Sequence, residues 1–317
     1  MQAHFFDAAE AAPWDGFCAG AHNATFLHTR RFLSYHGERF VDRSIVVEDN
    51  GRIVGLLPGA LHPQDDTVFV SHPGASYGGM VHQGALRGAP MIEALQTAAR
   101  LARRTGARKL HYKALPHIYH RSPAQDDLYA LQRLGARRYR CDLSATIDLQ
   151  SPLPRSERRR RALKKAEKAG LALARGSEFA GALWTVLEGN LARKHGVGPT
   201  HTVTEIRMLA DRFPDQIDFV VARLQDEVVA GVVLFRCGPT VHAQYIAAND
   251  IGHEHNALDA VFASCIDRAA SSARYFDFGI STEAQGTVLN EGLFRFKSEF
   301  GGAGVVHEFY ELDLGEF

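Results

Sequence analysis

The sequence predicts an α/β (α+β) protein built of two similar halves, and three observations lead there. Its 317 residues exceed a typical single domain. Read for hydrophobic period and punctuation, residues 1–150 give the order β-β-β-α-β-α-β, and residues 171–317 give a second α/β series. Between them, residues 151–170 open on Pro152 and Pro154 and then collect basic side chains, as a boundary does. No short-period repeat is visible, so this coarse duplication is the internal symmetry to explain.

In the first half, residues 13–32 read as a helix and loop carrying Trp14, Phe17, Phe26 and Phe32. Residues 43–47 and 51–61 read as strands turning on Asp49-Asn50-Gly51, a strong hairpin signal. Val68 to Val70 is a further strand, running into the loop Ser71-His72-Pro73-Gly74-Ala75-Ser76-Tyr77-Gly78-Gly79. Its glycines suit either a tight irregular turn or a close backbone approach to a ligand. Residues 90–105 form a helix, with Pro90 in its first turn and Arg100, Arg103 and Arg104 loading its last. A strand at 109–113, a helix at 124–134 and a strand at 137–149 complete this half.

The boundary segment places Arg155, Arg158, Arg159, Arg160, Arg161, Lys164, Lys165 and Lys168 on one helix, against only Glu157 and Glu167. Like charges at helical spacing repel by a few tenths of a kcal/mol per pair. Such a helix is either a solvated linker or a clamp for phosphates.

In the second half, a strand at 171–175 leads into a helix from Glu178 to about Lys194, with Ser177 as its cap and Gly196 as its stop. A helix at 204–212 precedes a meander of strands at 218–224, 227–237 and 240–247, turning at Gln225-Asp226 and Gly238-Pro239. A helix at 256–273 follows, with Asn256 either capping it or serving a ligand. Tyr275-Phe276-Asp277-Phe278 is a short aromatic strand closed by Gly279. Asp277 alternates to the face opposite its two phenylalanines, which puts it either at a site or in solvent. Ser281 and Thr282 are candidate capping oxygens for a helix from about Leu289 to Phe300, stopped by Gly301-Gly302. Leu289, Leu293, Phe296 and Phe300 share one face of that helix, and Lys297 falls at the edge of it. A lysine so placed snorkels out, finds an anion or loses its charge. The last strand spans 305–312.

Composition narrows the function classes. Lys+Arg and Asp+Glu are both 36, so net charge signals neither nucleic acid nor membrane, and the basic charge is concentrated in the boundary helix. Cys18, Cys141, Cys237 and Cys265 are scattered without a Cys-x-x-Cys pair, as reduced thiols of a cytoplasmic protein are. The N-terminal stretch has no basic region followed by an apolar run, and no apolar stretch is long enough to span a bilayer. His253, Glu254 and His255 lack a third ligand at matching spacing, so no metal site is expected.

The stretch FDFG-x-ST-x(3)-G, followed by FK and FG, resembles the C-terminal signature of the Fem-type acyl- and aminoacyl-transferases. That family's usual form is FDFGRS with a GT-x-x-FK ending. Here Ile280 stands for the arginine, and a longer insert separates Gly286 from Lys297. The resemblance implies two tandem acetyltransferase-like (GNAT) domains, over residues 1–150 and 171–317, joined by the basic helix of 151–170. It also implies an acyl- or aminoacyl-transferase acting on an amine of a cell-envelope precursor, sugar or peptide. No cofactor would be tightly bound; acyl-CoA or aminoacyl-tRNA would be the co-substrate. The acceptor would be a small molecule or precursor with a phosphate group, and charged tRNA a further candidate partner.

In a GNAT domain the chemistry sits where the fourth and fifth strands splay. Here those are residues 240–247 and 275–278. Lys297, Tyr245 and Asp277 become the candidate catalytic residues: a charge for the oxyanion, a proton for the leaving group, and a group to orient or deprotonate the amine. Tyr245 reads equally as a packed strand residue. Donor or phosphate binding would fall to Asn256, Gly252, Arg158, Arg159 and Lys165. Pro73 followed by Tyr77, Gly78 and Gly79 is similar to the family's N-domain acceptor loop, and the stretch containing Arg193 resembles the family's NMR-x-LG. The segment 249–257 lacks the Gln/Arg-x-x-Gly-x-Gly/Ala phosphate motif of acetyl-CoA enzymes. Two other readings therefore stand beside the first: a conventional acyl-CoA N-acetyltransferase, and a non-catalytic binding protein on a degenerate GNAT scaffold.

Overall fold

A computed structural model describes residues 1–195 and 198–317. The chain divides into two compact units. The first comprises Met1–Asp142, Thr282–Val288 and Val306–Phe317, and the second Leu143–Ser281 and Leu289–Val305.

The first unit begins with β1 (Gln2–Phe5), α1 (Ala11–Gly20), α2 (Arg30–Leu33), β2 (Ile45–Asp49), β3 (Arg52–Leu57), β4 (Gly59–His62) and β5 (Asp65–Ser71). It continues through α3 (Ala89–Arg103), β6 (Lys109–Lys113) and α4 (Asp126–Arg133) into β7 (Arg137–Asp148), in which the second unit starts. The β2–β3 turn has positive φ at Asn50 and Gly51, as a two-residue hairpin on Asn-Gly requires. β1 was not legible in the sequence, because four residues are too few to establish a period. β1-β2-β3 form a small antiparallel sheet, and in a second, mixed sheet β4-β5-β6, with β5 and β6 parallel, are followed by β15. Phe69, Leu95, Leu110, Leu131 and Leu312 lie in the core of this unit.

The second unit continues with α5 (Glu157–Lys168), β8 (Ala172–Arg175), α6 (Ala180–His195), α7 (Val203–Arg212), β9 (Ile217–Leu224), β10 (Glu227–Cys237) and β11 (Thr240–Ala248). Then come α8 (Asp250–Glu254), α9 (Ala257–Ala269), β12 (Tyr275–Ile280), the two-residue strands β13 (Thr282–Glu283) and β14 (Val288–Leu289), α10 (Glu291–Ser298) and β15 (Ala303–Asp313). Its sheet runs β7-β12-β11-β10-β9-β8. Only β11 and β12 are parallel; the other neighbours are antiparallel. On one face Phe276 and Phe278 of β12 meet Phe262 of α9, and Phe300 closes the cluster.

Local expectations needed correction at several helix ends. Ser177 makes no side-chain cap; a 3-10 turn over Ser177–Phe179 precedes α6. Gly196, expected to stop α6, lies outside the described residues. Neither Ser281 nor Thr282 caps α10. Asn290 does, accepting from the Leu293 N–H, because the hairpin of β13 and β14 delays the helix start. Leu289 and Leu293 are accordingly exposed rather than part of a buried face.

The basic helix α5 is not uniform. Ser156 caps it, and Arg160, Arg161, Lys164 and Lys168 are exposed. Arg159 turns inward and is 6% exposed. Its guanidinium forks onto both oxygens of Asp259 on α9, at 3.0 and 3.1 Å, and donates to Glu299 at 3.1 Å. It also lies over the Phe296 and Phe300 rings. Breaking such a buried pair leaves an uncompensated charge. Arg159→Met should therefore cost about 3–5 kcal/mol in urea unfolding, while Arg161→Gln should stay within about 0.5 kcal/mol. Equal effects for the two would show that α5 is held by something other than Arg159.

Candidate functional site

The site is built where two parallel strands stop pairing. β11 and β12 are in register through Thr240–Tyr275, Val241–Phe276 and His242–Asp277. Beyond that pair β11 runs on to Ala248 and β12 to Ile280 with no further register between them. Two irregularities produce the splay. Val233 of β10 faces Tyr245 while Leu234 faces Ala243, so Gln244 is an extra residue that bends β11. On the other side, the β12–β7 ladder breaks between Asp277 and Ile280, where Gly279 takes φ +75°.

Asp277 is fully buried, on the face of β12 opposite Phe276 and Phe278. Alternation was thus legible, but the choice of solvent for that face was not. Asp277 is in register with Thr146 of β7 on one side and His242 of β11 on the other. Its Oδ1 accepts from the hydroxyls of Ser144 and of Thr146, the latter at 2.8 Å. Its Oδ2 lies 2.7 Å from His242 Nδ1. His242 had no place among the sequence candidates. Its signal was positional: it is the third residue of β11 as Asp277 is the third of β12, and parallel strands that start together pair third with third.

Lys297 does not snorkel. Its side chain runs inward, 3% exposed, and Nζ donates to the carbonyls of Gly279 at 2.9 Å and Ile280 at 2.6 Å. Burial lowers its pKa to about 8, against the upward pull of Asp277. Two β12 carbonyls and one buried lysine amine so meet just past the strand separation.

The remaining candidates of this unit lie in other groupings. Tyr245 is half-buried against Trp184, with its hydroxyl 2.5 Å from His201 Nδ1. Gly252 sits in α8, where its N–H is taken by Asn249 Oδ1 at 2.8 Å. A Cβ there would come within 2.2 Å of the Val229 carbonyl, so glycine is required for α8 to pack on β10. Arg193 pairs with Asp250 at the start of the same helix. Lys165 reaches its other end, donating to the Glu254 carbonyl at 2.9 Å. Asn256 precedes α9 with φ 52° and makes no side-chain cap. Arg158 is exposed, 3.9 Å from Glu299. Arg159 is committed to its internal ion pairs.

The first unit contains a matching parallel pair, β5 and β6, in register from Val68–Lys109 to Val70–His111. Here the chain itself occupies the place beyond. Lys113 N–H donates to Ser71 Oγ at 2.8 Å, Gly78 N–H to the Lys113 carbonyl at 3.0 Å, and Met80 N–H to Tyr112 Oη at 2.7 Å. Tyr77 is buried and stacked on His28, and a Cβ on Gly79 would touch the Tyr112 hydroxyl. Tyr77, Gly78 and Gly79 thus pack this unit's interior. Lys113 repeats the Lys297 device, donating to the carbonyls of His72 and Ala75, with its pKa lowered by burial to about 8.

Comparison with known proteins follows this geometry. Residues 155–298 match the family model described as an acetyltransferase (GNAT) domain. A tandem GNAT protein from the clavulanic acid biosynthesis pathway superposes with TM-score 0.50 at 15% identity, over 87% of this chain and 83% of that one. The fold is that of two tandem GNAT domains. The structure of FemX superposes with TM-score 0.70 at 12% identity, covering 100% of this chain and 98% of that one. The C-terminal domain (DUF2156) of a putative lysylphosphatidylglycerol synthetase from Agrobacterium fabrum gives 0.64 at 13% identity, covering 97% and 92%. The Fem-type resemblance read from FDFG and FK therefore holds at the level of fold. No curated protein matches the sequence. Among the described residues, no helix is long and apolar enough to cross a membrane, and no group of metal-ligating side chains converges.

The Lys297 geometry makes a signed prediction. Unfolded, its amine holds a proton up to its ordinary value of 10.5; folded, it releases the proton near 8. Between those values the unfolded chain binds more protons, so the lysine contributes more stability as pH rises. The stability lead of wild type over Lys297→Met, measured by urea unfolding, should widen from pH 8 to 10 by up to about 1 kcal/mol per pH unit. A lead that stays constant over that range would mean the amine keeps its proton.

Proposed function

We propose that the chain is an acyl- or aminoacyl-transferase that acylates an amine of a cell-envelope precursor, sugar or peptide, with its chemistry in the second unit. The observation that carries this is the separation of β11 from β12 beyond His242 and Asp277, with Lys297 buried beside it. Strand edges freed in this way expose amides and carbonyls to which an extended, amide-bearing donor arm can pair. The donor would be acyl-CoA or aminoacyl-tRNA. The exposed Arg158, Arg161, Lys164 and Lys168 of α5 would meet donor or acceptor phosphates. Lys297 would stabilise the oxyanion electrostatically, in a site where a charge acts more strongly than in water. The name of one similar structure, a putative lysylphosphatidylglycerol synthetase, favours an aminoacyl donor. The acetyltransferase match over residues 155–298 favours the second reading, a conventional acyl-CoA N-acetyltransferase.

Thermal-shift measurement with acyl-CoAs, charged tRNA and UDP-linked sugars separates these readings. A true donor at one hundred times its dissociation constant stabilises by about 2.7 kcal/mol. With that donor, Lys297→Met should lose about 100-fold or more in turnover. If phosphates are bound by α5, replacing Arg158 and Arg161 with glutamine should weaken binding more at low salt than at high salt. No shift and no transfer with any donor would leave the binding-scaffold reading in place of the transferase.

A further inference from the structure

The row of polar groups across β7, β12 and β11 is more specific than a buried carboxylate requires. Resting on the transferase reading, we propose that His242 is the proton acceptor for the attacking amine, with Asp277 as its positioning residue. Thr146, Asp277 and His242 are in-register neighbours on three adjacent strands, so the sheet itself fixes their spacing. Ser144 and Thr146 supply hydroxyl donors to Oδ1, which leaves Oδ2 for the imidazole. An acceptor-only carboxylate oxygen 2.7 Å from Nδ1 requires that nitrogen to carry the proton. In the neutral ring the lone pair is then on Nε2.

That edge of the ring is aimed at the separation. A Cβ added to Gly279 would lie 3.2 Å from His242 Cε1 and 3.9 Å from Nε2. The carbonyl of the same glycine is held by Lys297 Nζ at 2.9 Å. Imidazole edge and ammonium thus converge on one residue, immediately past the last β11–β12 pair. A side chain at Gly279 would press on the imidazole edge. The His242 side chain is 13% exposed, whereas Asp277 has no exposure, so the dyad opens at its histidine end.

The chemistry balances with a donor R–CO–X, where X is the sulfur of an acyl thioester or the ribose oxygen of an aminoacyl ester. The amine nitrogen forms a bond to the carbonyl carbon, and the C=O π pair moves onto oxygen. The nitrogen gives one proton to His242 Nε2. The oxyanion reforms the carbonyl, the C–X bond breaks with its electron pair on X, and His242 returns the proton to X. The products are the amide and HX, and the imidazole is neutral again. Asp277 remains ionised throughout, stabilising the transient imidazolium.

Facing His242 are Asp277 of β12 and, across Gly279, Lys297 of α10; β7 contributes hydroxyls and β10 contributes Phe235, its register partner. Asp277 stabilises the imidazolium formed during transfer, so its loss should slow that step. The experiment uses the full chain. His242→Asn keeps an N–H donor for Asp277 and removes Nε2. It should retain the wild-type melting temperature and donor KM, with kcat down about 100-fold or more. Asp277→Asn should lower kcat while leaving donor KM unchanged. Imidazole ¹⁵N NMR of the unliganded protein should show neutral His242 as the Nδ1–H tautomer, a preference that Asp277→Asn should weaken. Near-wild-type kcat in a folded His242→Asn, or an Nε2–H tautomer, overturns the assignment while leaving the transferase standing. Transfer by no donor to any amine, with the tautomer as expected, overturns the transferase reading and this role with it.

Discussion

A carboxylate with no exposure to water must be surrounded by donors, and Asp277 obtains them from the sheet in which it lies. Ser144 and Thr146 reach it from one neighbouring strand and His242 from the other. This arrangement demands that β12 stay in step with β7 and β11 up to Asp277. Immediately afterwards the β11–β12 pairing ends, and the β12–β7 ladder is interrupted until Ile280 meets Ser144. The end of one ladder and the break in the other define the opening, and Lys297 satisfies two of the carbonyls at its edge. In the proposed reaction the network serves packing and chemistry with the same atoms.

The two units show how one strand geometry can be used differently. In both, a parallel pair separates after three registered residues, and a buried lysine donates to nearby carbonyls. In the first unit the chain around Tyr77 to Met80 is hydrogen-bonded into the region beyond the separation. In the second, that region is bordered by a His–Asp pair. In the first unit burial holds the His28 and His82 pKa values down at about 4, so these two are neutral aromatic packing.

Strong local signals made much of the fold legible. Asn50-Gly51 gave a hairpin, Pro90 a helix start, and the alternation of Phe276, Asp277 and Phe278 gave the two faces of β12. The site was read less completely, because its geometry depends on register between distant strands. Nothing near His242 announces Asp277, which is 35 residues away in sequence. The basic helix was legible as charge but not as orientation. Eight similar cations on paper conceal one, Arg159, whose partners Asp259 and Glu299 lie far along the chain. Lys297 was placed beside an apolar face, yet only the broken β12 ladder shows why it goes inward.

The path of the chain through the first unit has a consequence for biosynthesis. β6 of that unit is flanked by the stretch of β15 running from Phe309 to Asp313, and Leu312 and Leu314 belong to its core. A nascent chain that has emerged only as far as residue 150 thus has every α-helix of this unit but lacks a sheet strand. Until residues 309–313 have emerged, β6 presents an open edge of the kind that recruits other strands. The second unit takes its last residues, including Phe300 of its core, from the chain before Val306. Domains usually mature in the order of synthesis; this topology makes the first unit wait for residues that follow those of the second.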